Sequence, residues 1–508
     1  MIPKTMSTQH PDNARMPEWS HDKAIIKNED EIEEAYIAYK KMGIQEVMWD
    51  AEGKDVDTHV VRKIISKDNK FFSENILGRD IFLTYRVPNP RIEGIERKIL
   101  TETLSSIPLN YDVGNRVYMN KTPPIFEVII PFTTDYTDLL GVLKYYEKAI
   151  VGQQDIKLYD DVYARDVTGE VYPKKINVIP LIEDMDSILN IDSIINGYYR
   201  AAGPDHMRVF IARSDPAMNY GMLPATLLAK FAAIRLRELS NKLNINIYPM
   251  LGAGSSPFRG NLGPDNTVNA LEEYDSYYTY TVQSAFKFDY DINTVKKAVS
   301  QINLHDPDYR KLPDNVDLNI FKSILDKYKK RFQREIEAIA RPINDITLYL
   351  PKRRARKLHI GLFGYSRSTG KAVLPRAISF VAALYSMGIP PEILGIASLN
   401  EMTEPEYELI HKLYLNLNFD LKMSARYFNY DSLKLLKEIW NIDDEIINMI
   451  RSDMRYVENN IGVPTDNSYG IRKHLMYSSL TMLAFKDGKF DEMRDYIYEM
   501  SLIRKFLG

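Results

Sequence analysis

Residues 177–184 read NVIPLIED and residues 208–215 read RVFIARSD, and these two stretches decide the fold. Each is a nearly unbroken apolar run that ends in charged side chains, a pattern typical of a strand buried on both faces of a parallel sheet. Similar runs recur along the chain, separated by helical stretches. They cover 47–50, 81–86, 126–132, 178–183, 209–214, 245–252, 278–284 and an eighth candidate at 359–363.

Seven or eight such strand–helix units indicate an α/β fold in which parallel strands close into a (β/α)8 barrel of the TIM type. Polar residues collect at the carboxyl ends of the runs, the end at which such barrels build active sites: Asp50, Arg86, Glu183, Asp215 and Gln283. An open, doubly wound parallel sheet is the alternative architecture.

The segments between and after the strands are predicted to be helical, which adds many helices to the barrel. The first helix is expected over 29–42 and a long charged helix over 320–339. Beyond residue 400 the strand pattern stops, and Thr403 with Pro405 and Glu406 is typical of a helix start. We expect 1–399 to form the barrel region, including the N-terminal segment, and 400–508 to form helices packed on it.

Composition excludes several classes of function. The chain has 508 residues, 45% of them apolar, and a net charge of −3, which gives no electrostatic case for binding nucleic acid or an anionic membrane. The absence of cysteine excludes disulfides, thiolate catalysis and cysteine-bound metals. The amino terminus lacks an apolar signal core, and no run reaches the roughly 20 residues that span a bilayer, so we expect a cytoplasmic protein.

Two acidic residues and one histidine are candidates for catalysis. Glu183 and Asp215 end or follow consecutive apolar runs, so together they could hold one Mg²⁺ or Mn²⁺ ion; each alone is also a common strand-end or helix-capping residue. His10 precedes Pro11, which keeps it out of a helix and leaves its imidazole available as a base. A surface histidine in an unstructured terminus is the alternative.

Two further segments are suited to anions. The loop 252–260, GAGSSPFRG, exposes backbone N–H groups, including those of Gly254 and Ser255, and adds the planar guanidinium of Arg259. A simple tight turn is the alternative. Arg367 follows a glycine-flanked turn, and Arg376 lies at the predicted start of a helix, where an anion is attracted.

Taken together, these motifs make the chain similar to the short, archaeal-type phosphoenolpyruvate carboxylases. The resemblance covers nearly the whole sequence and is most specific at four places that occur in the order of the family. They are STQHPDN at 7–13, ARSDPAMNYG at 212–221, GAGSSPFRGN at 252–261, and GLFGYSR at 361–367 with PRAI at 375–378.

The resemblance implies a homotetrameric barrel enzyme that carboxylates phosphoenolpyruvate with bicarbonate to oxaloacetate and phosphate. It implies Mg²⁺ or Mn²⁺ and no biotin. The small net charge argues against a nucleic-acid or membrane partner. The implied roles are as follows: His10, Arg259 and Arg367 are catalytic; Glu183 and Asp215 bind the metal; Arg376, Gly254, Ser255 and Gln283 bind substrate.

The chain departs from the longer bacterial and plant enzymes at the opening of the glycine loop. Those enzymes have His-Gly-Arg where this sequence has Leu251, Gly252 and Ala253, so one arginine for the substrate phosphate is missing. We expect Arg86 or Arg213 to replace it. Two functional alternatives remain open: a metal-dependent keto-acid lyase or aldolase on the same barrel, and a scaffold protein without activity.

Overall fold

A computed structural model describes residues 1–9, 13–20, 25–26, 28–51, 56–94, 97–351, 355–356, 368–369, 372–464 and 468–507. Its main sheet is a closed barrel of parallel strands. They are β1 Thr5–Ser7, β2 Glu46–Asp50, β3 Phe82–Arg86, β4 Glu127–Ile130, β5 Asn177–Ile182, β6 His206–Ala212, β7 Asn246–Gly252 and β8 Thr279–Val282. The predicted α/β barrel is therefore confirmed, and the open doubly wound sheet is excluded.

The strands follow one another around the barrel in chain order, and β1 closes the ring between β8 and β2. Ser7 is in register with Val282 on one side and with Val47 on the other. Seven of the predicted runs coincide with β2 to β8 within a few residues. The eighth candidate, 359–363, lies outside the described residues, and the closing strand is instead the short segment Thr5–Ser7.

Alternating side chains on each strand point into the barrel or out to the helices. A buried apolar cluster fills the interior: Met6, Met48, Ile129, Ile179, Leu181, Phe210, Ala212 and Met250. Below it, Arg208 forms ion pairs with Glu46 at 2.6 Å and with Glu127 at 2.8 Å. The same alternation turns Asp50 and Glu183 inward above this cluster, at the carboxyl end of the barrel.

Helices surround the barrel and continue to the carboxyl end of the described chain. In the first half they are α1 Asn28–Lys40, α2 Val60–Lys67, α3 Asn69–Glu74, α4 Arg97–Tyr118, α5 Tyr136–Tyr145, α6 Ala164–Thr168, α7 Met185–Leu189, α8 Ile191–Ala202, α9 Ser214–Tyr220 and α10 Met222–Leu243. In the second half they are α11 Thr267–Glu273, α12 Ser284–Phe288, α13 Ile292–Leu304, α14 Leu318–Thr347, α15 Ala377–Ser386, α16 Glu404–Leu413, α17 Leu417–Ala425, α18 Tyr430–Trp440, α19 Asp444–Asn460, α20 Tyr469–Lys486 and α21 Phe490–Arg504.

Shorter elements complete the described chain. Three two-stranded ladders pair Ile25–Ile26 with Ala355–Arg356, Lys157–Tyr159 with Val162–Tyr163, and Ser368–Thr369 with Ala372–Val373. A π-helical turn, Tyr146–Val151, extends α5, and the 3₁₀ turns are Gly152–Asp155, Pro257–Arg259, Tyr309–Lys311, Pro391–Ile393 and Ile396–Glu401.

The carboxyl-terminal region is helical as predicted. α16 begins with a capping box in which the Thr403 side chain accepts the Glu406 N–H and the Glu406 carboxylate accepts the Thr403 N–H at 2.7 Å. One buried apolar cluster runs from Trp19 to Leu507, so these helices share a core with the barrel. In the part of the chain that the structure describes, no single helix combines the length and hydropathy of a membrane span.

Candidate active site

Asp50 and Arg86, at the ends of β2 and β3, form a two-pronged ion pair at the mouth of the barrel. The Arg86 Nε donates to Asp50 Oδ1 at 3.0 Å and its Nη2 donates to Oδ2 at 2.6 Å. The side chains are only 16% and 9% exposed, so water competes weakly with the pair. Asp50 thereby fixes the plane of a guanidinium that faces the mouth, which keeps Arg86 a candidate for the missing arginine.

Glu183 and Asp215 leave neighbouring strands at the same end of the barrel. β5 and β6 pair through Leu181 with Phe210 and Ile182 with Ile211; Glu183 directly follows β5, and Asp215 lies in the helix that begins after β6. Glu183 is buried and its Oε2 accepts the Phe132 N–H at 2.9 Å, whereas Asp215 is half-buried in the first turn of α9. Both acids therefore lie at the same end of two neighbouring strands, because consecutive parallel strands end side by side.

The donor set of these two acids fits a hard divalent cation. Carboxylate oxygens are the ligands that Mg²⁺ takes from proteins, usually one or two of them with water and substrate oxygens completing the shell. Among the described residues, no group of three or more His, Asp or Glu could hold a metal ion. A cation at this position would therefore take most of its ligands from water and substrate.

The glycine loop after β7 is folded back on itself by its own backbone. The Gly254 N–H donates to the Arg259 carbonyl at 2.8 Å, and the Leu262 N–H donates to the Gly254 carbonyl at 2.9 Å. Pro257–Arg259 forms a 3₁₀ turn, and Gly260 ends it with φ of +111°, a conformation that favours glycine. The backbone of the loop is therefore held in one conformation, which fixes the position of the Cα atom of any side chain that the loop carries.

Arg259 lies against the backbone of this loop and joins it to two other strand ends. Its Nε donates to Ser214 Oγ at 3.0 Å and its Nη2 donates to Gln283 Oε1 at 2.6 Å. A Cβ added to Gly254 would stand 2.6 Å from the Arg259 Cζ, so only glycine permits this approach. The loop, β6 and β8 therefore place a planar guanidinium at the mouth, where it can grip a phosphate or carboxylate.

The structure gives Arg213 a different position from the one expected of a substrate ligand. Its guanidinium is fully buried and donates to Tyr274 Oη, Phe258 O, Met222 O and Thr226 Oγ1 at 2.7–3.2 Å. Arg213 follows the outward-facing Val209 and Ile211 in the strand alternation, whereas the inward positions of β6 are Arg208, Phe210 and Ala212. This placement counts against Arg213 as the missing phosphate ligand and leaves Arg86.

The remaining predicted substrate ligands that the structure describes are Ser255, Gln283 and Arg376. Ser255 is half-buried, and its hydroxyl donates to the Lys505 carbonyl at 3.3 Å, just beyond α21. Gln283 is the residue before α12 and accepts from Arg259, as described above. The Arg376 residue is exposed and directly precedes α15, at the positive end of that helix.

His10 and Arg367 lie outside the described residues, but the chain on both sides of His10 is described. Lys287 Nζ donates to Ser7 Oγ and the Thr8 carbonyl, each at 2.8 Å, and to Glu34 Oε1 at 2.7 Å. Asp289 accepts the N–H groups of Ala14 and Arg15 at 3.0 and 2.8 Å. Two residues at the end of α12 thus hold both flanks of the STQHPDN motif, a function that the sequence analysis missed.

Two buried carboxyl groups from the second half of the chain also reach the glycine loop, and neither has a local signal in the sequence. Glu392 accepts the Phe258 N–H at 3.1 Å, and Asp420 accepts from the Asn261 side chain at 2.6 Å. Burial raises the pKa of Glu392 and raises the pKa of Asp420 to about 7. The loop therefore rests on groups from outside the barrel strands.

Comparison with known proteins finds similarity over the whole length of the chain. A family model described as phosphoenolpyruvate carboxylase matches residues 2–508. A phosphoenolpyruvate carboxylase of Picrophilus torridus is 57% identical over 100% of this chain and 99% of its own length. The proteins of the same name from Metallosphaera sedula and Caldivirga maquilingensis are 50% and 43% identical, again over 100% of this chain and 99% and 100% of theirs.

Proposed function

Because the chain belongs to the phosphoenolpyruvate carboxylase family, a family of carboxy-lyases, we propose that its barrel mouth carboxylates phosphoenolpyruvate through carboxyphosphate and the enolate of pyruvate. The observation that carries this proposal is the Arg259 guanidinium, seated on Gly254 and bonded to Ser214 and Gln283. Arg259 follows β7, which pairs with β6, and Asp215 lies in the first turn of the helix after β6. A guanidinium and a carboxylate that follow neighbouring strands suit a substrate with a phosphate and a carboxylate that is bound beside a divalent cation.

The first step transfers the phosphoryl group. A bicarbonate oxygen attacks phosphorus, the bond from phosphorus to the enol oxygen breaks, and carboxyphosphate and the enolate form. Arg259 holds the phosphoryl oxygens and offsets their charge, with Arg86, Arg367 and Arg376 as the further cationic groups. Positioning supplies most of the catalysis, because an aligned pair of reactants needs little further reorganisation.

The second step needs a base and the exclusion of water. His10 accepts the carboxyl proton of carboxyphosphate as its carbon–oxygen bond to phosphate breaks, which releases carbon dioxide and phosphate, and phosphate then takes the proton. The methylene carbon of the enolate attacks carbon dioxide to give oxaloacetate. Water that reached the enolate would protonate it to pyruvate, so the glycine loop and its neighbours must close the mouth.

Glu183 and Asp215 are the residues that would hold Mg²⁺ or Mn²⁺. Such a cation would offset the negative charge that develops on the enolate oxygen. No biotin carrier is needed, because phosphoenolpyruvate itself activates bicarbonate as carboxyphosphate and carbon dioxide is released beside the enolate. The Phe132 N–H that donates to Glu183 at 2.9 Å would orient this carboxylate. A homotetramer in the cytoplasm is part of the same proposal, and light scattering should give four times the chain mass of 58.8 kDa.

Bicarbonate-dependent turnover tests the proposal. Purified enzyme with Mg²⁺, phosphoenolpyruvate and bicarbonate should release phosphate and oxaloacetate in equal amounts, and omitting bicarbonate should stop both. With bicarbonate labelled by ¹⁸O in all positions, the phosphate should carry one labelled oxygen, because a bicarbonate oxygen has attacked phosphorus. Unlabelled phosphate, or phosphate release without bicarbonate, would refute the route and favour a lyase that uses the same carboxylates.

A further inference from the structure

Both polar backbone groups of Phe258, the residue directly before Arg259, are held by charged side chains. Glu392 Oε1 accepts the Phe258 N–H at 3.1 Å, and Arg213 Nη1 donates to the Phe258 carbonyl at 3.1 Å. Glu392 and Arg213 are each 0% exposed, so water does not compete for these bonds. Hydrogen bonds to charged groups in a dry environment are the stronger kind, and a peptide held on both sides has little freedom.

The two holding groups come from opposite sides of the loop. Arg213 directly follows β6, whereas Glu392 belongs to the 3₁₀ turn Pro391–Ile393 after α15. The Tyr385 hydroxyl donates to both carboxylate oxygens of Glu392, at 2.9 and 3.0 Å, and so fixes their orientation. The Phe258 ring packs beside Phe380 with ring centres 5.6 Å apart, which anchors the same residue in the core.

The loop is held on the other side of Arg259 as well. Asn261 donates to Asp420 Oδ1 at 2.6 Å, and the Tyr414 hydroxyl donates to Asp420 Oδ2 at 2.6 Å. Arg259 is thus bracketed by two fixed points, Phe258 and Asn261. Its own bonds to Ser214 and Gln283, together with its contact to Gly254, tolerate only small movements of the loop.

We infer that Glu392 and Arg213 are positioning residues that clamp the Phe258 peptide and thereby hold the Arg259 guanidinium in place for the phosphoryl group. This inference rests on the proposed function, because it takes Arg259 as the phosphate ligand. It also gives the residues that follow the barrel strands a role in the reaction. Glu392 and the residues that orient it support the glycine loop from outside the ring of strands. Arg213 acts through the loop and not on the substrate.

Calorimetric binding of inorganic phosphate in the presence of Mg²⁺ tests the clamp. Glu392→Leu removes the acceptor for the Phe258 N–H, whereas Glu392→Gln keeps one acceptor oxygen for that N–H and replaces the other oxygen, together with the charge, by an amide NH2 group. The Leu variant should bind phosphate about tenfold more weakly or worse, the effect of losing one hydrogen bond to a charged group, and the Gln variant should bind within about threefold of wild type. Mn²⁺ affinity at Glu183 and Asp215 should stay unchanged in both.

A control variant separates positioning from general stability. Asp453 is also a fully buried carboxylate that accepts backbone N–H groups, but from Gly395 and Ala397 at 3.1 and 2.8 Å. Asp453→Leu should lower the thermal unfolding midpoint without weakening phosphate binding. Equal weakening of phosphate binding in Asp453→Leu and Glu392→Leu, or in the Leu and Gln variants of Glu392, would overturn the inference.

A gentler variant keeps the test decisive if Glu392→Leu does not fold. Tyr385→Phe retains the ring and removes the hydroxyl that orients Glu392, so phosphate should bind several-fold more weakly, by about the effect of one lost hydrogen bond. Unchanged phosphate affinity in a folded Tyr385→Phe enzyme would contradict the clamp. Arg259→Gln separates the two proposals. If Arg259→Gln leaves phosphate affinity intact, the proposed function fails. If Arg259→Gln weakens phosphate binding but the Glu392 and Tyr385 variants leave it intact, only the clamp fails.

Discussion

Replacing Gly254 by alanine is a steric test of the position that the glycine loop gives to the Arg259 guanidinium. The new Cβ would stand 2.6 Å from the Arg259 Cζ and 2.8 Å from its Nη1, whereas carbon atoms in contact are separated by roughly 3.5 Å or more. The guanidinium must therefore retreat by about 0.9 Å, the difference between those two values. Gly254 has no left-handed backbone conformation, so this contact is the whole effect of the substitution.

That retreat has a predictable energy. Arg259 holds Ser214 Oγ at 3.0 Å and Gln283 Oε1 at 2.6 Å, and a shift of this size breaks at least one of these bonds. Losing one hydrogen bond of a charged group costs about 1.5–3 kcal/mol, which corresponds to a factor of roughly 10 to 100. We therefore expect the KM for phosphoenolpyruvate to rise by that factor in Gly254→Ala.

Steady-state assays coupled to oxaloacetate reduction measure this effect, and the chain offers a matched control. Gly141 lies on the exposed side of α5, and a Cβ added there meets nothing within 4 Å. Gly141→Ala should leave kcat and KM unchanged and raise stability by about 0.5–1 kcal/mol, since glycine disfavours helix. A Gly254→Ala enzyme with the wild-type KM would refute the reasoning, because it would show that substrate binding does not depend on the exact position of the Arg259 guanidinium.

Four further outcomes follow from the same structure. Glu183→Gln and Asp215→Asn should each weaken Mn²⁺ binding by at least about tenfold, as measured by electron paramagnetic resonance. Wild-type Mn²⁺ affinity in either variant would exclude that residue from the metal site. His10→Asn should release pyruvate and phosphate from phosphoenolpyruvate and bicarbonate in place of oxaloacetate, because the enolate would form without a base for the second step; undiminished oxaloacetate would exclude His10 as that base. Lys287→Met removes the bonds at 2.8 Å to Ser7 Oγ and the Thr8 carbonyl and should raise the ratio of pyruvate to oxaloacetate, whereas loss of both products in equal proportion would indicate a purely structural role. Burial raises the pKa of Asp420 from 3.8 to about 7, so the folded state keeps a proton that the unfolded chain releases. The stability that this group contributes is complete below about pH 4 and is lost as the pH rises through 7, by about 4 kcal/mol at most. Asp420→Asn should therefore flatten the fall of the thermal unfolding midpoint between pH 5 and 7.

The barrel could be predicted because its strands carry their signal locally. Seven of them are apolar runs buried on both faces, and a run such as NVIPLIED can be recognised without knowing its neighbours. β1 could not be found in this way, because Thr5–Ser7 is only three residues long and contains one apolar side chain. Its strand conformation depends on the backbones of β8 and β2, which lie far away in the chain.

The direction of a side chain at the barrel mouth can be predicted where the alternation of a strand decides it, and cannot be predicted where contacts distant in sequence decide it. Asp50, Arg86 and Glu183 continue the inward positions of their strands. Arg213 continues the outward positions of β6, and applying the period of two to this strand would have corrected the expectation. Glu392 offers no such signal, because it meets Phe258 across 134 residues of sequence.

A crystal structure with Mn²⁺ and a non-reactive analogue of phosphoenolpyruvate would locate both the cation and the substrate phosphate at the barrel mouth. We expect one Mn²⁺ ion bound by Glu183 and Asp215, and the phosphoryl oxygens of the analogue within hydrogen-bond distance of Arg259. An analogue bound with its phosphate away from the glycine loop, or a Mn²⁺ ion with neither carboxylate among its ligands, would contradict this expectation.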